Sequence, residues 1–170
     1  ATVTLLPALT EAALAALPIA KRMRWGARRA EFVRPVHWVV MLFGRVVVPG
    51  EVLGIETGRE TRGHRVHGSA RITLESATDY EKALREQGCV VADYATRRAD
   101  VAAQVRAKAA ELGGTAVIDE ALLDEVSSLV EWPRALAGRF EQRFLEVPAE
   151  ALISSMKQHQ KYFHVVDATG

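Results

Sequence analysis

Residues 36–50, VHWVVMLFGRVVVPG, decide the fold. β-Branched and aromatic residues dominate this stretch, as is typical of strands, and Gly44 interrupts it. Pro49 and Gly50 then supply a turn. The stretch therefore predicts two strands, or one bent strand, over residues 36–43 and 45–48. Residues 70–74 alternate and predict another strand, whereas residues 54–68 carry four glycines and predict a loop.

Helical patterns lie on both sides of these strands. Thr10 predicts the N-cap of a helix that reaches Leu17, and Pro18 ends it. Ser76 or Thr78 predicts the cap of a helix that ends at Gly88. Further helices are predicted at 94–112, at 119–129, and from Pro148 to a final strand over 162–166. The remaining segments predict a basic loop at 21–34 and two extended pieces at 130–147.

The predicted helices and strands alternate without a repeating βαβ unit. We therefore predict an α+β fold with a mixed, mostly antiparallel sheet and flanking helices, in a single domain over residues 1–170. Residues 167–170, Asp-Ala-Thr-Gly, have the composition of a tight turn. Because a hairpin turn needs a returning strand, we interpret the chain as a fragment of a longer protein, cut at this turn.

The composition narrows the class of protein. Hydrophobic residues make up 49% and charged residues 25%, which is typical of a globular domain and not of a disordered tail. No apolar run approaches the ~20 residues of a membrane-spanning helix. The single cysteine, Cys89, provides neither an internal disulfide nor a cysteine-based zinc site. We expect a cytoplasmic protein with no membrane contact, no bound metal and no cofactor in this part.

The net charge of +1 conceals one basic and one acidic segment. Residues 20–38 contain six basic residues and one acid, Glu31, whereas residues 119–131 contain five acids and no base. The basic segment has the charge to meet phosphate groups. The alternative is that the two segments face each other or lie separately in solvent.

Two neighbouring clusters lie in the basic segment, and the first has the chemistry of an RNA contact. The first, residues 21–26, combines Lys21, Arg22 and Arg24 with Trp25, pairing phosphate donors with a face on which a base can stack. The second, residues 32–38, contains Arg34 and ends in His37-Trp38, of which one side chain is expected to be buried. For the first cluster the alternative is a core tryptophan beside solvated arginines. In the second, a lone histidine at such a place is more often a hydrogen-bonded core residue than a catalyst.

A third cluster, residues 61–68, places Arg62, His64, Arg65 and His67 in a glycine-bracketed loop. Such a loop can offer backbone N–H groups and cations to an anion. Its alternative is a tight turn around a histidine that is hydrogen-bonded to backbone. The His-x-x-His spacing specifies no third metal ligand, so we predict no metal here.

The fourth cluster, residues 156–163, is MKQHQKYF. Lys157 and Lys161 are predicted one turn apart on a helix face, with His159 between them. Amides and lysines can read base edges or phosphates. The alternative is a polar helix end whose Tyr162 or Phe163 fills the core. The sequence contains neither a nucleophile motif nor a phosphate loop, so we predict no catalytic residue in this part.

Taken together, these clusters resemble the β chain of the bacterial heterotetrameric glycyl-tRNA synthetase. The resemblance runs from about residue 14 to residue 167 and rests on five ordered motifs: residues 21–26, 32–38, 61–65, 129–133 (LVEWP) and 156–163. Arg22, Val66 and His164 depart from that family's usual residues at their positions, where a serine, an aromatic residue and a proline are typical.

The resemblance implies an enzyme of two α and two β chains, in which the α chain holds glycine and ATP with Mg²⁺. The implied partners are the α subunit, the remaining β-subunit domains and the tRNA for glycine. The region also looks similar to the editing-type domain of the phenylalanyl-tRNA synthetase β chain.

Three functions of this part follow as hypotheses. The first is contact with the tRNA acceptor arm through Lys21, Arg22, Arg24, Trp25, Arg34, Arg62, His64, Arg65, His67, Lys157, His159 and Lys161. The second is hydrolytic editing of mischarged tRNA, with His64 or His67 orienting a water. The third is a structural module that docks through the 119–131 helix and the apolar face of the 94–112 helix, without RNA contact.

Overall fold

The computed structural model describes residues 2–27 and 29–167 and divides into two compact units, Ala1–Val90 and Val91–Gly170. Helices and small sheets, both mixed and antiparallel, occur in the described residues, which confirms the predicted α+β class. The prediction of a single domain over residues 1–170 stays a prediction. Arg28 and residues 168–170, which include most of the predicted terminal turn, lie outside the described residues.

The first unit opens with helix α1, Thr2–Ala16, which begins eight residues before the predicted cap at Thr10. The Thr10 hydroxyl instead donates to the carbonyl of Leu6 at 2.9 Å, within the helix. Pro7 lies inside α1 and costs it one backbone hydrogen bond. Its ring packs on Gly50, where an added Cβ would lie 2.5 Å from the Pro7 Cγ, so this contact requires glycine.

Short strands form the rest of the first unit: β1 Met23–Arg24, β2 Glu31–Phe32, β3 Val39–Val40, β4 Leu42–Phe43, β5 Val46–Val47, β6 Glu51–Val52, β7 Ile55–Gly58, β8 Glu60–Thr61 and β9 Ile72–Thr73. β3 pairs with β7 in parallel, and β7 pairs with β6 antiparallel, which makes a mixed three-stranded sheet. The antiparallel pairs β1–β2, β4–β5 and β8–β9 complete the strands of this unit.

Two loop predictions in this unit are wrong, because short antiparallel pairs form where loops were expected. The basic segment contains the β1–β2 pair, in which Met23 faces Phe32 and Arg24 faces Glu31. The glycine-rich segment contains β7 and β8, because Gly54 supplies a turn and Ile55 and Thr61 are buried. The predicted break at Gly44 is confirmed: its φ of 60° forms the turn between β4 and β5.

The core of the first unit is apolar and draws on the predicted strands and helix, together with Val52, which lies outside them. Val48, Val52, Ile72, Leu74 and Leu84 are each at most 4% exposed. Leu84 belongs to helix α2, Tyr80–Glu86, which follows a 3-10 turn, Ala77–Asp79. Ser76 caps that turn in a capping box with Asp79, so of the two predicted caps the structure uses Ser76.

Helix α1 is fastened to the sheet by Glu11, whose carboxylate accepts the N–H of Leu53 in the β6–β7 turn. Leu53 and Gly54 have φ values of 53° and 74°, as a two-residue hairpin turn requires. We expect Glu11→Ala to lower the free energy of unfolding by about 1–2 kcal/mol, because a turn amide loses a charged acceptor.

Urea unfolding measures this loss. Glu51→Gln is the control, because Glu51 lies directly opposite Glu56 and the two like charges disfavour their strand pair. The control is expected to match or slightly exceed wild-type stability. Equal stability of Glu11→Ala and wild type would show that the Glu11 contact contributes nothing.

The second unit is built on helices α3, Tyr94–Glu111, and α4, Glu120–Leu129, which confirm two predicted helices. Asp93 and Asp119 cap them by accepting the N–H groups of Thr96 and Leu122. Val101, Ala102 and Leu123 form the core between the two helices, and Phe163 packs against it. The fourth cluster therefore uses Phe163, not Tyr162, to fill the core.

The rest of the second unit departs from the expectations. Residues 130–147 form no strand, and a 3-10 turn, Gln142–Glu146, lies where extended chain was predicted. Pro148 precedes helix α5, Ala149–Ser154, as predicted, and a π-helical turn, Ser155–His159, follows it. The final strand is limited to β11, Val165–Val166, and its partner is β10, Thr115–Ala116, within the chain.

Among the described residues, no helix combines the length and the apolar character needed to cross a membrane.

Candidate functional site

Three of the four sequence clusters meet on one surface of the first unit. The Trp38 indole N–H donates to Thr61 Oγ1 at 3.2 Å, and the Arg62 guanidinium lies 5.2 Å from the Trp38 ring centre. Arg62 therefore makes a cation–π contact that joins the second cluster to the third. We call Trp25, His37, Trp38 and Arg62 the tryptophan surface.

His37 occupies the middle of the tryptophan surface, between two open depressions. One, of about 420 Å³, is lined by Trp38, Gly58 and Glu60 among others, and the other, of about 210 Å³, by Trp25, Gly26 and Val36. The expectation that His37 or Trp38 is buried is wrong: both are exposed, Trp38 by 40%. Both residues precede β3, which begins at Val39, so neither belongs to the paired strand.

Two predicted RNA-binding arginines have structural partners. Arg22 donates to the carbonyls of Ala15 at 3.0 Å and Leu14 at 3.2 Å, which caps the C-terminal end of α1. Arg24 forms an ion pair with Glu31, Nε to Oε1 2.6 Å, across β1–β2. Both side chains remain at least partly exposed, and one guanidinium nitrogen of each is already engaged, Nη2 of Arg22 and Nε of Arg24.

The basic segment and the glycine-bracketed loop contain four further exposed cations: Lys21, Arg29, Arg34 and Arg65. Within the described part of the chain, none of them has a hydrogen bond or an ion pair. Their charges are therefore available to an anionic partner, and we call them the open cations. Arg29 was not among the predicted site residues, although it belongs to the basic segment.

The glycine-bracketed loop is closed by its own backbone. The N–H groups of Gly63, His64, Gly68 and Ser69 donate to backbone carbonyls, and those of Val66 and His67 donate to His64 Nδ1 at 3.2 Å. Because these N–H groups already have acceptors within the unit, they do not form a binding site for an anion. The loop matches the alternative of a tight turn around a histidine.

The hydrogen bonds fix the tautomer of His64. Because Nδ1 accepts, the neutral ring carries its proton on Nε2, and neither nitrogen is then free to take a proton from water. The ring of His67 stacks on that of His64, with centroids 4.7 Å apart. His67 and Arg65 are exposed, so the loop presents these two side chains, together with Arg62, to solvent.

The fourth cluster lies in the second unit, and its lysines are paired. Lys157 Nζ lies 2.8 Å from Asp119 Oδ2, and Lys161 Nζ lies 2.8 Å from Glu125 Oε1. Arg98 pairs with Glu120 and with Asp124. Four acids of the 119–131 segment thus form ion pairs with cations of the second unit. His159 is exposed on the π-helical turn.

These pairs lower the pKa of two aspartates below the ordinary value of 3.8. For Asp119 the largest cause is the hydrogen bond from Lys157, and for Asp124 it is the hydrogen bond from Arg98. A carboxyl group whose pKa is lower in the folded state stabilises the fold above its unfolded pKa. It loses that contribution as the pH falls through the folded pKa.

We therefore expect Asp119→Asn to be less stable than wild type at pH 7, and the difference to shrink below about pH 4. Asparagine keeps the helix cap, so the comparison isolates the charge that Lys157 meets. Urea unfolding between pH 7 and pH 3 measures the difference. A difference that stays constant over this range would contradict the assigned ion pair.

Residues that the sequence analysis left out of the site are His37, Trp38 and Arg29. The His37-Trp38 pair could have been included, because an exposed tryptophan beside arginines is the same signal that selected Trp25. Among the described residues, no group of three or more histidine, cysteine, aspartate or glutamate side chains is placed to hold a metal ion.

The described residues thus define an α+β protein in which three of the four cationic and aromatic clusters meet on one surface of the first unit. The chain belongs to the glycyl-tRNA synthetase β-subunit family, because the model of the family described as Glycyl-tRNA synthetase beta subunit matches residues 1–170.

Similar proteins include the glycine–tRNA ligase β subunits of Hahella chejuensis and Chromohalobacter salexigens. The first is 61% identical over 169 residues, which are 99% of this chain and 24% of that protein. The second is 61% identical over 170 residues, which are 100% of this chain and 25% of that protein. The chain thus spans about a quarter of the length of these relatives.

Proposed function

We propose that this chain is the part of a bacterial glycine–tRNA ligase β subunit that contacts the acceptor arm of the tRNA for glycine. The proposal includes a cytoplasmic location and an α-subunit partner that binds glycine and ATP with Mg²⁺. It gives this part a binding role and no catalytic residue. The likeness to the editing-type domain of phenylalanyl-tRNA synthetase is part of the proposal only at the level of the fold.

The observation that carries the proposal is that open cations flank the residues of the tryptophan surface in the sequence. Arg34 lies three residues before His37, and Arg65 lies three residues after Arg62 in the loop that reaches Trp38. Arginine matches phosphate oxygens, and tryptophan offers a stacking face to an unpaired base. Charge and aromatic surface on one unit are what an RNA strand requires of its binding site.

Arg34→Ala and Arg65→Ala test the proposal. Each variant is expected to weaken binding of the tRNA for glycine and to reduce the log–log salt slope by about 0.9, because each removes one phosphate contact. Thermal unfolding should be unchanged, since both side chains are exposed. Fluorescence titration at several salt concentrations measures the slope.

Arg71→Ala is the matched control, because Arg71 is also exposed but is paired with Glu60. It is expected to leave the slope within error of wild type. If Arg34→Ala and Arg65→Ala bind as wild type does, the open cations do not contact tRNA and the proposal is wrong.

A docking role for the second unit has support of its own, outside the predicted apolar face of α3. The apolar face of α3 is not free to dock, since Val101 and Ala109 are buried within the unit. Large apolar side chains are exposed instead at Leu136, Phe140 and Leu145, by 91%, 53% and 64%. The second candidate function is therefore docking of this segment on other parts of the β subunit.

Editing has less support. In the neutral His64 ring, the basic nitrogen Nδ1 already accepts hydrogen bonds from two backbone N–H groups. His67 alone would have to orient the water.

A further inference from the structure

The segment between Lys157 and Phe163 presents a short row of uncharged polar side chains. Gln158, His159 and Gln160 are exposed, and Tyr162 is 58% exposed. We call these four residues the polar tip. Each of them can donate and accept hydrogen bonds, and two carry flat rings.

The polar tip is held at both ends by contacts within the second unit. Lys157 and Lys161 point back to α4, where Asp119 and Glu125 accept from their Nζ atoms at 2.8 and 2.9 Å. Phe163 packs against the core of Val101, Ala102 and Leu123, immediately after Tyr162. The two lysines and Phe163 therefore hold this segment on the second unit, and the side chains of the polar tip are exposed.

The backbone of the polar tip has an unusual geometry. The turn over Ser155–His159 is π-helical, and Lys161 has a φ of 58°, which non-glycine residues rarely adopt. The N–H of Tyr162 closes the turn by donating to the carbonyl of Met156 at 2.9 Å. π-Helical turns and left-handed residues concentrate at functional sites, because ordinary helix ends avoid their cost.

The charge at the polar tip decides the kind of ligand. Both flanking cations are neutralised by carboxylates, so the tip offers no free positive charge to a phosphate. Amides and imidazole match the donor and acceptor edges of nucleobases, and an exposed tyrosine provides a stacking face. The chemistry fits a base that is unpaired and turned outward, not a base inside a duplex.

We propose that the polar tip binds unpaired bases of RNA, with Gln158, His159, Gln160 and Tyr162 as contacts and Lys157 and Lys161 as positioning residues. The inference rests on the proposed function in that the RNA would be tRNA. It reverses the expected role of the two lysines, which the sequence suggested as phosphate contacts.

The test measures binding of fluorescent single-stranded A, C and U homo-oligonucleotides of about eight nucleotides to the 170-residue chain. Tyr162→Ala is expected to weaken binding about 5- to 100-fold by loss of stacking. Gln158→Ala, His159→Ala and Gln160→Ala are each expected to weaken it about 5-fold. Gln142→Ala, an exposed glutamine on the 3-10 turn, is the control and should bind as wild type does.

The salt dependence separates base contacts from phosphate contacts. Variants of the polar tip should weaken binding without changing the log–log salt slope. Lys157→Met should also weaken binding with no change in slope, and Lys157→Arg should restore it, because arginine can still pair with Asp119. A fall in slope of about 0.7 in Lys157→Met would mean a direct phosphate contact and would overturn the positioning role.

The outcomes for the polar tip and for the proposed function are distinct. Wild-type affinity in Tyr162→Ala and His159→Ala overturns the inference, and so does an absence of oligonucleotide binding at about 50 mM salt. Neither result changes the effect that Arg34→Ala and Arg65→Ala are expected to have on binding of the tRNA for glycine. Conversely, oligonucleotide binding that depends on the polar tip, in a chain that does not bind tRNA, supports the inference and contradicts the proposed function.

Discussion

Gly68→Ala is expected to lower the free energy of unfolding of the first unit by about 3 kcal/mol or more, because the added methyl group has no space. A Cβ at this position would lie 2.0 Å from the carbonyl oxygen of Gly88 and 2.6 Å from the backbone nitrogen of His64. Both neighbours are backbone atoms, which cannot move aside as a side chain can. Gly63 packs on Gly88 in the same way, because a Cβ added at Gly63 would lie 2.4 Å from the Cα of Gly88.

The mutual approach of Gly63, Gly68 and Gly88 closes the loop against the end of α2. The His64 amide donates to the Gly88 carbonyl at 2.6 Å, and the Ser69 amide donates to Gln87. A side chain at residue 68 would separate these segments and expose their hydrogen bonds. The loss should therefore exceed the gain in chain stiffness of about 0.4–1 kcal/mol that a glycine-to-alanine change normally gives.

Gly58→Ala is the control for this prediction. Gly58 lies in strand β7, and nothing is within 4 Å of an added Cβ there. Urea unfolding, followed by circular dichroism, should place the control close to wild type and Gly68→Ala far below it. Equal midpoints for the two variants would contradict the close packing of the three glycines.

Leu123→Asp is expected to destabilise the second unit by about 4 kcal/mol or more, since it places an unpaired charge in an apolar core. Leu123 is 1% exposed and lies with Val101 and Ala102 between α3 and α4. A loss of partner binding in this variant would thus reflect unfolding and not a missing docking contact.

Leu136→Asp is the matched control, because Leu136 is 91% exposed. It should leave the free energy of unfolding within about 0.5 kcal/mol of wild type. Hydrogen exchange in both variants also tests the single-domain prediction. Loss of protection in Leu123→Asp that spreads to the core of the first unit would confirm one cooperative domain, and protection retained there would contradict it.

Local signals predicted much of the fold. Ser76, Asp119 and Pro148 marked helix starts correctly, since capping depends on residues within one turn of the cap. Gly44 marked a turn correctly, because a turn also depends on the residues within it. Thr10 misled because its hydroxyl satisfies a carbonyl inside α1, while Pro7, which argues against a helix, is accommodated by Gly50.

Non-local contacts account for the parts that the sequence did not predict. The glycine-rich segment hides β7, whose partners β3 and β6 are set by the fold, and the partner of β11 lies about fifty residues earlier at β10. The motifs were visible as candidate binding residues. The pairing of Lys157 with Asp119 was not, because an ion pair across 38 residues leaves no pattern in the sequence.

The measurement that tests the central claim most directly is titration of the chain with unacylated tRNA for glycine at about 50 and 200 mM salt, beside an unrelated tRNA. With the four open cations engaged, affinity should fall about 50- to 150-fold between these salt concentrations, and the tRNA for glycine should bind more tightly than the unrelated one. Absence of binding at the lower salt concentration would contradict the proposed contact and favour the docking role.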